Sequence, residues 1–287
     1  MENELPVPAR FFRPDLFKGD VCVVTGGGTG LGLEISRSLA ALGATVIIAS
    51  RSTEHHAAFL EESNARGWNT EALVLDVRES DEVHEVAKGI VERHGQVDVL
   101  INNAAGNFVC PAEKLSPRAW RAVLGIVLDG TFYCSRSFGK HMIKRGEGGR
   151  MLNVVATYAW TGMPGVVHSA SAKAGVWAMT KTLAAEWARF GIRVNSIAPG
   201  PFQSDGARAN LWPDQETEDR IIEKIPAGRF ATREEVTRHA LHLLAKESDY
   251  ITGECMVVDG GLSLSAGRMW EPGAKRNKHN LNDSSDE

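Results

Sequence analysis

The run Val21-Cys22-Val23-Val24-Thr25 passes without a break into Gly26-Gly27-Gly28-Thr29-Gly30-Leu31-Gly32, and a helical stretch follows. A short β-branched run reads as a strand. A glycine-rich turn that carries it into a helix makes a βα unit, the repeating element of parallel sheets. The pattern then recurs. Strands are predicted near Val21–Thr25, Thr45–Ala49, Glu71–Leu75, Val99–Asn102, Met151–Val155, Arg193–Ile197 and Met256–Val258. Helices are predicted over Gly30–Leu42, Thr53–Arg66, Ser80–His94, Pro117–Lys144, Ala170–Phe190 and Arg233–Ala245. This alternation gives an α/β fold, a doubly wound parallel sheet flanked by helices. Several strands are apolar throughout, as expected where helices cover both faces.

No linker interrupts the series, so one domain is expected over residues 19–265, after an N-terminal arm (1–18) interrupted by Pro6, Pro8 and Pro14. Residues 266–287 turn polar, and the cluster Lys275-Arg276-Asn277-Lys278-His279 reads as part of a solvated tail. Of the 287 residues 43% are apolar and 24% charged, enough for a substantial core. The net charge of −4 gives no reason to expect nucleic acid or an anionic membrane as a partner. Any anion must therefore be held by local geometry. No apolar run reaches membrane-spanning length, and the acidic, proline-containing N-terminus is unlike a secretory or mitochondrial leader. The cytoplasm is the default expectation. Cys22, Cys110, Cys134 and Cys255 have neither metal-ligand nor redox spacing, so no metal is expected and they read as small buried hydrophobes.

The glycine turn is the first candidate site. Its backbone can approach a pyrophosphate, and the helix that follows offers unpaired N–H groups and a positive dipole end. Gly26, Thr29, Gly30, Leu31 and Gly32 carry that reading. About twenty residues on, NAD-binding folds place an acidic residue on the ribose 2′-hydroxyl. This chain has Ser50-Arg51-Ser52 there. Arg51 and Ser52 suit a 2′-phosphate, so NADPH/NADP+ is favoured over NAD(H). Asp76, past the third strand, is placed to meet an adenine edge. Asn103, Ala104 and Ala105 leave room for the adenosine ribose at a strand end where open parallel sheets bind ligands.

These residues resemble the short-chain dehydrogenase/reductase superfamily. The resemblance spans roughly residues 15–265. It rests on Thr25–Gly32, Asn102-Asn103-Ala104-Ala105-Gly106, Ser171-Ala172-Lys173-Ala174-Gly175, Asn195-Ser196-Ile197-Ala198-Pro199-Gly200 and Ile251-Thr252-Gly253 with Val258-Asp259-Gly260-Gly261. It implies a Rossmann-like seven-stranded sheet and, commonly, a homotetramer. It also implies that Lys173 holds the nicotinamide ribose and that Pro199 and Gly200, with Phe202 beyond them, line the nicotinamide.

The departures matter as much. Ordinary members carry a Tyr four residues before the Lys, a Ser thirteen before that Tyr, and an Asn in the long fourth helix. Here those places hold Ser169, Ala156 and Val127. In this the chain resembles the 2,4-dienoyl-CoA reductase branch, in which an Asn after the fourth strand and a Tyr fifteen residues before the Lys bind a thioester oxygen. Asn107 and Tyr158 match those positions, and Ser169 matches the serine that replaces the usual Tyr. The resemblance implies NADPH-dependent reduction of an acyl-CoA substrate, 2,4-dienoyl-CoA to 3-enoyl-CoA. A conjugate reductase needs donors for a developing oxyanion, and neutral O–H and N–H₂ groups suit. Lys173 is expected to lower the Tyr158 pKa if the two are close. His168 is an alternative acid, and Trp160, Met163 and Phe202 an alternative acyl channel. A trans-2-enoyl-CoA reductase, a ketoreductase and a non-catalytic NADP-binding scaffold remain open at this point.

Overall fold

The computed structural model describes residues 5–202 and 214–265. Seven strands form one parallel sheet: β1 (Val21–Thr25), β2 (Thr45–Ser50), β3 (Thr70–Val74), β4 (Val99–Asn102), β5 (Gly149–Val154), β6 (Ile192–Pro199) and β7 (Cys255–Val258), in the order β3-β2-β1-β4-β5-β6-β7. The chain builds outward from β1 to one side and then from β4 to the other. The crevice between β1 and β4 is therefore the switch point at which such sheets bind ligands.

Strand side chains alternate between two apolar layers. Cys22 and Val24 of β1, with Val46 and Ile48 of β2, pack on one face against α1 (Gly30–Ala41), which contributes Ile35 and Leu39. Val21, Val23 and Ile47 pack on the other against α3 (Ser80–His94), through Val83 and Ile90. This two-sided cover leaves β1 and β6 buried from end to end. Between β2 and β3 lies α2 (His56–Arg66).

The stretch read as one long helix is two. In α4 (Pro117–Leu124) the Ser116 hydroxyl accepts from the Ala119 N–H, and Pro117 takes the first helical position, where its missing N–H costs nothing. A π turn follows over Gly125–Asp129, in which the Gly130 N–H reaches back to the Gly125 carbonyl, and α5 (Gly130–Arg145) continues beyond it. After β5 come the single turn α6 (Tyr158–Thr161) and α7 (Val167–Trp187), which starts three residues earlier than Ala170. The series closes with α8 (Gln215–Ile222), not foreseen, and α9 (Arg233–Leu244), opened by a capping box between Thr232 and Glu235. Part of the arm packs down: Ala9 and Phe17 are fully buried, and Arg238 of α9 lies over the Phe11 ring at 4.5 Å. The expected polar tail, 266–287, lies outside the described residues. No helix among the described residues is long and apolar enough to cross a membrane.

Candidate active site

Because the strands are parallel, the residues that follow β1, β2, β3, β4, β5 and β6 gather along one edge, and all the candidate residues lie on it. At its centre is the glycine turn. Thr29 caps α1 without a side-chain hydrogen bond, leaving the first-turn N–H groups open to an anion. Gly32 must lack a side chain: a Cβ there would fall 2.4 Å from both Asn103 Nδ2 and the Gly26 carbonyl oxygen. Asn103 braces the turn from β4. Its Nδ2 donates to the Thr25 and Gly26 carbonyls at 3.0 Å each, and its backbone N–H donates to Thr25 Oγ1. Its side chain thus shapes the cradle. Ala104 is tied to Thr25 Oγ1 as well, and Ala105 is exposed beside it.

Arg51 stands exposed and makes no hydrogen bond among the described residues, while the Ser52 hydroxyl accepts from the Glu54 N–H. Asp76 is held by Arg78, whose guanidinium grips both carboxylate oxygens and keeps the carboxyl below its ordinary range; the Arg51 charge adds to this. At the other end of the edge the Gly200 N–H donates to the Val258 carbonyl at 2.9 Å. Pro199 is buried, and Phe202 packs half-buried against the core and bridges to Ala231. Open N–H groups, a side-chain-free approach and an exposed guanidinium fit a nicotinamide dinucleotide.

The candidate reactive groups come from the loop after β4, from α6 and from α7. Lys173, two turns into α7, is buried and donates to the Val154 carbonyl at 2.5 Å; burial pushes its pKa down to about 8. One turn earlier, Ser169 meets the Tyr158 hydroxyl at 3.0 Å. The structure corrects one expectation here. Burial pushes the Tyr158 phenol above its usual range and the Ser169 hydrogen bond opposes it, so the net shift is upward rather than the lowering expected from Lys173. Tyr158 therefore stays a neutral O–H donor at working pH. Asn107 lies in the loop after β4, its Oδ1 accepting from the Phe108 N–H. Its Nδ2 is buried with no hydrogen-bond partner among the described residues. That N–H₂ group is therefore available to donate to a bound acceptor.

The places of the ordinary relay are apolar. Val127, in the π turn, is 1% exposed and packs with Val123, Val155 and Val176; Ala156 is 9% exposed. Neither can donate or carry a proton.

Sequence reasoning missed three features. The Val154 carbonyl that holds Lys173 has no signature, because any residue supplies one. His168 is fully buried, which its neighbours did not announce. Asn102 Nδ2 donates to Asn153 Oδ1 at 2.8 Å, and Asn153 Nδ2 to Thr180 Oγ1 at 2.9 Å, a buried chain across β4, β5 and α7. Two asparagines and a threonine inside apolar runs were the available signal.

A polar crevice of about 470 Å³ opens at the opposite edge, among Asp20, Asp98, Arg145, Arg150 and Arg193. Its arginines are already engaged. Arg193 donates to the Leu243, Ala245 and Ile251 carbonyls, Arg150 to Leu244, and Arg145 to Val97 and Gly148. They satisfy the ends of α9 and the neighbouring turns, so the crevice is a by-product of capping.

The pattern of the Enoyl-(Acyl carrier protein) reductase family matches residues 26–263. The chain is 43% identical over 248 residues to the probable 2,4-dienoyl-CoA reductase [(2E)-enoyl-CoA-producing] of Bacillus subtilis (strain 168), covering 85% of this chain and 96% of that one. It is 35% identical over 256 residues to the peroxisomal 2,4-dienoyl-CoA reductase [(3E)-enoyl-CoA-producing] of Danio rerio, covering 89% and 85%. Among solved structures, a gluconate 5-dehydrogenase from Burkholderia cenocepacia J2315 in complex with NADP and tartrate superposes with a TM-score of 0.82 at 33% identity, over 87% of this chain and 98% of that one. The chain belongs to the short-chain dehydrogenase/reductase family and is an oxidoreductase.

Proposed function

We propose that the protein reduces unsaturated acyl-CoA thioesters with NADPH, taking 2,4-dienoyl-CoA to 3-enoyl-CoA. The observation that carries this reading is the buried, unpaired Asn107 amide, together with the Tyr158–Ser169 pair, at a site whose usual relay positions hold Val127 and Ala156. When bound, NADPH supplies a hydride. The glycine turn and Arg51 would hold its phosphates, and Lys173 its nicotinamide ribose. Asn107 Nδ2 and the Tyr158 hydroxyl would donate to the thioester oxygen, where negative charge develops when C5 is reduced. Ketone reduction needs a proton delivered to oxygen; conjugate reduction needs the oxygen stabilised and a proton delivered to carbon. With C2 protonated from water, NADPH, H⁺ and dienoyl thioester give NADP⁺ and the 3-enoyl product.

Purified protein with NADPH and 2,4-hexadienoyl-CoA is expected to consume absorbance at 340 nm. The two relatives' names differ over the product, so the position of label from D₂O decides it. Deuterium at C2 marks the 3-enoyl product, and deuterium at C4 the 2-enoyl product and a revised regiochemistry. Activity confined to 2-enoyl-CoA or to ketones would replace the reading, and NADPH binding without turnover on any of these would leave a scaffold. The likeness to a gluconate 5-dehydrogenase favours a ketoreductase as second choice, and Val127 and Ala156 oppose it.

Arg51→Ala is expected to weaken NADPH by about ten- to a hundredfold, the worth of a lost charge-assisted hydrogen bond, and to leave NADH nearly unchanged. Equal losses measured by fluorescence titration would remove the 2′-phosphate assignment. The proposal includes a homotetramer in the cytoplasm, with no nucleic-acid partner and no membrane insertion.

A further inference from the structure

The segments that carry Asn107 and Tyr158 are fastened to each other, and the chemistry above makes no use of the fastening. The Cys110 N–H donates to the Gly165 carbonyl at 2.8 Å. Val109 lies so close to Gly165 that a Cβ on that glycine (φ +81°) would fall 2.9 Å from Val109 Cγ1. The Phe108 ring packs on His168 with centroids 4.4 Å apart, tilted by 41°. His168 is wholly buried, and neither ring nitrogen makes a hydrogen bond of normal geometry among the described residues. Burial pushes its pKa down, against an opposing pull from the Phe108 backbone. An imidazole so enclosed and neutral is poorly placed to exchange protons with solvent.

Its neighbours give it another use. Asn107 precedes Phe108, and Ser169, which holds the Tyr158 hydroxyl, follows His168. The ring contact therefore lies one residue from an element of each donor. We propose that His168 is a positioning residue: wedged against Phe108, and helped by the Cys110–Gly165 hydrogen bond, it sets the separation between the Asn107 amide and the Tyr158 phenol. This rests on the reading that both donate to one thioester oxygen. Separation matters because donors act only at the position the oxyanion occupies, and a displacement near 1 Å can cost about a hundredfold in rate.

The test is steady-state kinetics with NADPH and 2,4-hexadienoyl-CoA, with circular dichroism to confirm folding. His168→Ala is expected to lower kcat about tenfold or more while NADPH affinity stays within about twofold. His168→Phe keeps a ring against Phe108 and has no titratable nitrogen, so kcat should stay within about threefold of the parent, with an unchanged pH profile. Gly165→Ala pushes the loops apart from the other side and should reproduce the kcat loss; adding Val109→Ala removes the collision and should recover part of it. Should His168→Ala fail to fold, the Gly165 pair still decides. His168→Phe as slow as His168→Ala overturns the proposal, and a changed pH profile would then mark the imidazole as a proton carrier. Parental kcat in both His168→Ala and Gly165→Ala overturns it, as does a parallel loss of NADPH affinity, which signals general loosening. Absence of dienoyl turnover in the unmutated protein would instead reject the proposed function.

Discussion

Replacing Asn107 by Ala is expected to lower kcat for dienoyl-CoA reduction by about 10²–10³, the range found when one oxyanion donor is removed. The amide nitrogen is buried with no hydrogen-bond partner among the described residues, so it is placed to donate to a bound acceptor. Its gain then falls on the charge that develops in the transition state. Tyr158→Phe, which deletes the other donor and frees Ser169, should have a comparable effect. The double variant should lose less than the product of the two factors, because groups acting on one oxygen are not additive. NADPH affinity should be preserved in all three. Since burial raises the Tyr158 pKa, the phenol remains protonated across the working range, and no alkaline loss of rate should trace to it. Parental kcat in Asn107→Ala would leave the amide as a loop residue and remove the main support for conjugate reduction.

The second large effect is on stability, and lies at the opposite edge of the sheet. Asp20, 2% exposed, accepts from buried Arg150 at 2.9 Å and from Lys246 at 3.0 Å. Asp20→Ala leaves the Arg150 guanidinium in the interior without its counter-charge. The expected cost is about 3–5 kcal/mol, corresponding to roughly 6–20 °C in Tm for a domain of this size. Adding Arg150→Met removes the stranded charge and should restore most of the loss, since an apolar side chain of similar volume often replaces a buried ion pair without penalty. Chemical denaturation of the parent, both single variants and the double variant reads the cycle. A single-variant cost near 1 kcal/mol would place the pair with ordinary surface bridges.

Much of the frame was legible because β-branched runs and glycine turns act locally. β1, β4 and α3 begin and end where the sequence puts them. The long helix was not, since its apolar period continues through Gly125–Asp129 and a π turn changes only which residues face inward. The single turn α6 is too short to show a period, and α7 starts early at Val167 because Val166 provides no side-chain cap to mark it. At the site, Asn107 and Tyr158 were readable as candidates from the motif. Their surroundings were not: the partner of Lys173 is a backbone carbonyl, and the Tyr158 pKa is governed by burial rather than by a neighbouring charge.

The buried amide chain has a consequence for assembly. Asn102 and Asn153 stand opposite each other in the pairing of β4 with β5. Slipping one strand by a single residue would set Asn102 against Leu152 in one direction, or Asn102 against Val154 and Asn153 against Ile101 in the other, and so part the two amides. The pair thus works as a key that admits one alignment. The segments carrying the two proposed donors leave the sheet beyond it, so an error of alignment at that point would displace one of them relative to the other by a residue's rise.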